Sequence, residues 1–332
     1  SNAFYQVDII NVLRQNHKLF FYGPGYTNYN IKFKAEDILS NLDSKIDLIL
    51  YLHNSIEKIY SLSQFPNFKN INIKKIFFLN KEYINLNLKL QFCVENKINL
   101  IVTHHHEASK YEEITGIKCL WLPFAVNAYR YKKYYYQFKD RSISLFTSGV
   151  IKNFTKKGKH NFDRIKLANI FYHFFFLLPI KKRKKYRKLN IKFSFDYSGH
   201  NLLRQLLYIF KTKSLNPYKI DTSNYYEYLN NSKITYTTLS SNELITPKIF
   251  ESLISGSLTF VNKSNIYNYP EVNISNVVVQ YSDETDFKNK VDFYLNNPAE
   301  SQKIIDKAVH LISQNHTWEK RIEKLFYIIN SA

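Results

Sequence analysis

The stretch "SNELITPKIFESLISGS" (residues 241–257) decides the fold. It holds two glutamates, Glu243 and Glu251, with Pro247 between them and Gly256 behind. The preceding "SKITYTTLS" (232–240) is β-branched and apolar and reads as a strand. "SLTFVNK" (257–263) reads as another. Between them Thr246 is a plausible N-cap, Pro247 suits the first helical position and Gly256 is a stop. The pattern is strand, loop, short helix, strand. Glu251 falls mid-helix and Glu243 in the loop ahead of it. A helix N-terminus offers unpaired N–H groups and a positive pole, which suit a diphosphate. A carboxylate on the same element can accept hydrogen bonds from sugar hydroxyls.

The same alternation extends outward. "KLFFYG" (18–23), "IDLILYL" (46–52), "IKKIFFLN" (73–80), "NLIVTHH" (99–105) and "IKCLWLPF" (117–124) read as strands. So do "SISLFTSG" (142–149), "NIKFSFDYSG" (190–199) and "NVVVQYSD" (276–283). Continuous apolar strands separated by helical connections predict parallel sheets covered on both faces. Residues 162–178 are helical in pattern, and 298–330 read as helical throughout. A length of 332 residues suits two medium domains. The aromatic, aperiodic "YRYKKYYYQFKDR" (129–141) marks the boundary. The expectation is an α/β chain with two Rossmann-like domains, 4–138 and 139–310, facing across a cleft, and a closing helix, 311–330, packing back. Ligands in such sheets sit beyond the carboxyl ends of the strands, which makes that cleft the expected site.

Composition narrows the classes. Apolar residues make up 45% of the chain, enough for two cores. The opening "SNA" looks like an expression-tag remnant. Cys93 and Cys119, the two cysteines, lie in apolar runs and read as buried thiols of a reducing compartment. No apolar run is long enough to span a bilayer, and no signal peptide is visible, so a cytoplasmic location is expected. The formal charge is +20, partly gathered in "KKRKKYRK" (181–188). That run reads as a solvated loop or as a contact to the anionic inner face of the cytoplasmic membrane. Nucleic acid is not expected, because no recognised motif accompanies it.

"ELITPKIFESLISGS" resembles the glutamate–seven residues–glutamate segment of the "group 1" glycosyltransferases of the GT-B fold. The similarity includes the Pro before the second Glu, Ser255–Gly256 and the strand "SLTFV". The closing "DFKNKVDFYLNNPAESQKIIDKAVHLISQNHTWEKRIEKLF" (286–326) is similar too. The resemblance implies that Glu251 grips the donor ribose and that Glu243 lies near the donor sugar and phosphates. It also implies that the main chain at Ile245 and Thr246 approaches the diphosphate. Leu244 and Ile245 stand where the family often has glycines. In "FTSGVIKNFTKKGKHNFDR" (146–164), Lys152, Lys157 and Arg164 would meet the donor phosphates, where charge develops on the leaving group.

Other candidates are weaker motifs. Gly23 and Gly25 of "YGPGY" form a sugar-side turn or a plain one. Gly199 and His200 of "DYSGH" are placed near the base pocket. In "THHHEASKY" (103–111), strand alternation would put His104 and His106 on one face, as a general base or substrate contact. A metal site would need a distant further ligand, so none is expected. His316 and Trp318 are assigned to packing. The reading is a glycosyltransferase that moves a sugar from a nucleotide-activated donor to a glycan or lipid-linked acceptor of capsule or lipopolysaccharide type. Retention of configuration and no cofactor are expected. The alternatives are a nucleotide-sugar epimerase and a non-catalytic basic binding protein.

Overall fold

A computed structural model describes residues 4–24, 26–52, 66–82, 84–131, 136–152, 191–198, 224–240 and 243–331, with backbone alone at 149–152 and 191–198. Contacts divide the chain into two compact units, one of residues 1–123 with 322–332 and the other of residues 124–321. The division precedes the expected 138, since Tyr131 and Phe138 pack and hydrogen-bond within the second unit.

In the first unit, α1 (Phe4–Asn16) and α2 (Ala35–Ser40) precede β1 (Leu48–Tyr51) and β2 (Lys74–Leu79). Then follow α3 (Leu86–Glu95), β3 (Leu100–Thr103), α4 (Ala108–Thr115) and β4 (Cys119–Trp121). The sheet order is β1-β2-β3-β4, all parallel. Phe77, Leu79, Ile101, Leu90 and Cys93 fill the core between sheet and helices. The segment 18–22, expected as a strand, is not one; Phe21 and Tyr22 are instead tied into their own loop, with Tyr22 Oη donating to Asn30 O at 2.7 Å. Cys93 and Cys119 are both free, and burial pushes the Cys119 thiol up to about 12.

The second unit begins with α5 (Ala128–Tyr131) and runs through β5 (Ile143–Lys152), β6 (Ile191–Ser198), α6 (Tyr225–Asn231) and β7 (Ser232–Thr237). It continues with α7 (Pro247–Ile254), β8 (Leu258–Asn262), β9 (Val279–Tyr281), α8 (Glu284–Asn296) and α9 (Pro298–Asn315). The sheet order is β6-β5-β7-β8-β9, all parallel. Counted from β5, this is the doubly wound order 2-1-3-4-5. Its switch point, where such sheets bind ligands, lies between β5 and β7.

The tail is two helices rather than one. Between α9 and α10 (Trp318–Ser331) the chain pairs with Val126, whose N–H donates to His316 O at 3.0 Å and whose carbonyl accepts from Trp318 N at 3.2 Å. Trading helical bonds for these strand-like ones breaks the helix. The last turns of α10 pack back onto the first unit, with Phe326 stacked on His17 at 4.6 Å and Lys74 Nζ donating to Ile329 O at 2.7 Å.

Candidate functional site

The opening stretch folds as its residues dictate. Thr246 has extended backbone, Pro247 opens α7, and Gly256 follows it at φ +71°. Thr246 is the N-cap by position, yet its side chain makes no capping hydrogen bond. Ile249, Phe250, Leu253 and Ile254 are completely buried, each worth roughly 2 kcal/mol of burial. That apolar face leaves Lys248 and Glu251 on the other. Lys248 Nζ donates to Ser148 O of β5 at 3.0 Å. Phe146 pairs with Thr235, so Ser148 stands level with Thr237, the last residue of β7. The polar face of α7 therefore meets the carboxyl edge at the switch point.

Glu251 is held there by tyrosines. Tyr131 Oη donates to Glu251 Oε1 at 2.9 Å. The Tyr225 hydroxyl hydrogen-bonds both Glu251 and Ser148. Burial raises the Glu251 carboxyl above its ordinary value. The Tyr131 bond, the Lys248 charge, the Tyr225 bond and the Arg130 charge each pull it back. Both tyrosines are themselves pushed up, first by burial and then by the Glu251 charge. The result is a carboxylate with acceptor capacity, ringed by hydroxyl donors and two cations.

Arg141, a second charge of this region, is buried at 2% exposure. It donates to the carbonyls of Tyr136, Leu229, Ser232 and Ser255, at 3.0–3.3 Å. Leu229 and Ser255 lie at the carboxyl ends of α6 and α7, where a cation meets the negative pole. A Cβ on Gly256 would lie 2.6 Å from Arg141 Nη2, so that glycine serves both its turn and this guanidinium.

The remaining candidates divide. Glu243 is exposed at φ +57° in a turn where its N–H donates to Ser240 O at 3.1 Å. Ile245 is buried at 3% exposure. Lys152 is the last residue of β5, backbone-paired with Ser198. Lys157, Arg164, Gly25, Gly199, His200 and the basic run 181–188 lie outside the described residues. Gly23 adopts φ +147° and its carbonyl accepts from Tyr26 N at 3.1 Å, a tight turn.

The histidines depart from the alternation argument, because β3 ends at Thr103 and His104–Glu107 form a turn. His104 Nδ1 meets Leu122 O at 2.7 Å. A carbonyl only accepts, so Nδ1 carries a proton. His105, not His104, stacks on His106, at 4.5 Å. Below them Glu82 Oε1 accepts from Thr103 Oγ1 at 2.6 Å, and Thr103 Oγ1 accepts from His105 N at 3.0 Å. Among the described residues no group of three or more His, Cys, Asp and Glu side chains is placed to hold a metal. Sequence reading missed Tyr131, Tyr225 and Arg141, which sit in tyrosine- and lysine-rich strings with no periodicity to single them out.

Residues 175–326 match the family described as "Glycosyl transferase-like". A comparison with curated proteins gave no match. Among solved structures, HepE of Anabaena in complex with UDP is similar at 10% identity and TM-score 0.52, over 78% of this chain and 73% of HepE. The TarM crystal structure is similar at 13% identity and TM-score 0.50, over 78% of this chain and 51% of TarM. This chain thus spans about half of TarM's length. At these identities the likeness is one of fold. The two parallel sheets and these likenesses give the chain a fold of the GT-B type, and the match to a glycosyl transferase-like domain lies within residues 175–326.

Proposed function

We propose that the protein transfers a glycosyl group from a nucleoside diphosphate sugar to a hydroxyl of a cell-surface glycan, of capsule or lipopolysaccharide type, with retention of configuration. The observation that carries the reading is Glu251. Its carboxylate lies at the switch point, raised by burial and held by Tyr131 and Tyr225. Ribose hydroxyls are donors of the same chemistry as those phenols, so they can share or replace the tyrosine bonds. Glu243, on the exposed turn before α7, would face the donor sugar. The N-terminus of α7 at Ile245 and Thr246 would face the diphosphate, with Lys152, Lys157 and Arg164 as further cations. In the transfer the bond from the anomeric carbon to the diphosphate breaks and one to the acceptor oxygen forms. The acceptor's proton leaves on the diphosphate or on a base. Charge grows on the departing diphosphate, where cations and helix N–H groups act. His104 or His106 would serve the acceptor side. No metal is assigned a role.

The test is a thermal-shift titration with uridine and guanosine diphosphates on the parent chain and Glu251→Gln. A ligand that binds only the folded state raises the melting temperature. Because burial disfavours this carboxylate, the amide should keep or raise the melting temperature without ligand while the nucleotide response disappears. An undiminished response in Glu251→Gln refutes the assignment.

A further inference from the structure

The histidine turn of the first unit is tied to a network of buried polar groups that the donor chemistry leaves unused. The network starts on α3. Lys89 is fully buried, and its Nζ donates to Asn80 O at 2.6 Å and to Lys81 O at 3.1 Å. Those carbonyls belong to the turn after β2, where Lys81 takes φ +49° and its carbonyl also accepts from Ile84 N at 2.9 Å. A lysine in the left-handed region is uncommon and stays there only when its surroundings hold it. The same turn carries Glu82, which is buried too. Burial lowers the Lys89 ammonium to about 8, and the Glu82 charge works against that. Glu82 Oε1 accepts from Thr103 Oγ1 at 2.6 Å, at the carboxyl end of β3. The hydroxyl has one proton to give, and the carboxylate takes it; its lone pair accepts from His105 N at 3.0 Å. A buried acid and a buried lysine are costly to desolvate, and apolar side chains of similar volume stabilise a core at least as well. Packing therefore does not account for the network.

What it holds is the turn His104–Glu107. Thr103 fixes the main chain at His105, and Trp121 Nε1 fixes it at His104 by donating to His104 O at 3.1 Å. The His104 ring is bound to Leu122 O and meets the Tyr5 ring edge-on at 5.5 Å. His105 Nδ1 accepts from Glu107 N at 3.2 Å. His104 and His105 are thus buried, at 4% and 7% exposure, and engaged by the fold. His106 alone of the three is half-exposed. Its ring is placed by its neighbours, stacked on His105 and edge-on to Trp121 at 6.2 Å.

We infer that Glu82 and Thr103 are positioning residues that fix the His104–Glu107 turn, and that His106 is the imidazole this turn presents to substrate. The inference rests on the glycosyl-transfer reading and narrows its acceptor-side imidazole to His106. A reacting group displaced by about 1 Å can lose about a hundredfold in rate, so a turn that carries one gains from a rigid support. The Thr103 hydroxyl supplies that support because it donates to one group and accepts from another at a single buried point.

The test is carbethoxylation of the full chain by diethyl pyrocarbonate, read residue by residue by fragmentation mass spectrometry, with the melting temperature of each variant alongside. The reagent acylates a neutral imidazole nitrogen that solvent reaches. In the parent, His106 should react about tenfold or more faster than His104 and His105. Thr103→Val keeps the side-chain volume and removes both hydrogen bonds. Glu82→Asp keeps the charge beside Lys89 and draws the carboxylate back from Thr103. Each should bring His104 and His105 to within about threefold of His106, and Thr103→Ser, which keeps the hydroxyl, should return the parent pattern. In nucleoside diphosphate release from UDP-glucose and GDP-mannose, Thr103→Val and His106→Gln should lower kcat about tenfold or more while donor KM stays within about twofold. Thr103→Ser should recover kcat. A parent in which His104 or His105 reacts as fast as His106 overturns the inference. So does a carbethoxylation pattern that Thr103→Val and Glu82→Asp leave unchanged, or a loss of kcat that Thr103→Ser fails to recover. Failure of the donor assignment is read separately, in the nucleotide response of Glu251→Gln, and leaves the carbethoxylation pattern to decide this inference.

Discussion

Arg141, buried, and Glu251, half-buried, are two charges held at one helix, and they are held differently. Arg141 closes the carboxyl end of α7, and four backbone carbonyls surround its guanidinium. Glu251 sits one turn earlier, where its neighbours are phenols and cations and burial still works against its charge. Tyr131 joins the two sites, since its carbonyl accepts from Asn230 Nδ2 and Ser255 Oγ while its hydroxyl donates to Glu251. A charge with its partners built into the backbone holds a fold together. A charge kept where the fold disfavours it marks a candidate ligand site.

The largest effect should fall on the first of these. Arg141→Met strips the donors from three buried carbonyls and a part-buried fourth and should cost about 3–5 kcal/mol, read by denaturant unfolding. A loss below about 1 kcal/mol would place the stabilising role elsewhere. Next comes His316, which stacks on Phe250 of α7 at 5.3 Å and meets Arg321 Nη2 through Nδ1 at 2.7 Å. Arginine only donates, so Nδ1 accepts and cannot take a proton without losing the bond. Burial, then the Arg321 charge, lowers this imidazole from 6.5 to about 3. The unfolded chain therefore binds the proton first. The contribution is whole above 6.5 and is lost as pH falls, by about 2 kcal/mol at about pH 5. His316→Gln should flatten that limb of the stability profile; an unchanged acid limb would contradict the assignment. Glu251 slopes the other way, because its raised value makes stability fall as pH rises through the carboxylate range.

The smallest effect should be Tyr131→Phe, at about 1 kcal/mol in stability. It sharpens the contrast, since removing a donor raises the Glu251 titration further. The pH at half-maximal nucleotide response should move upward. A response unmoved in pH would leave Tyr131 with packing alone.

Much of the fold was legible locally. "SKITYTTLS" became β7, "SLTFVNK" β8 and "IKKIFFLN" β2, because a buried parallel strand is written as a continuous apolar run. Thr246, Pro247 and Gly256 bounded α7 as read. The misreadings were of context. "KLFFYG" has strand composition, yet Tyr22 and Asn30 bind each other instead of a sheet neighbour. The tail has continuous helical composition, yet Val126 breaks it by offering backbone bonds from far along the chain.

By itself the sequence determined that Glu251 would ride on a short helix between parallel strands, since periodicity and capping are properties of neighbouring residues. Only the tertiary structure decided what surrounds it. Tyr131 lies 120 positions from Glu251, and Arg141 lies 114 from Ser255. No local pattern records such pairs; they exist because the doubly wound order brings β5, β7 and α7 to one edge, where burial sets each charge's environment.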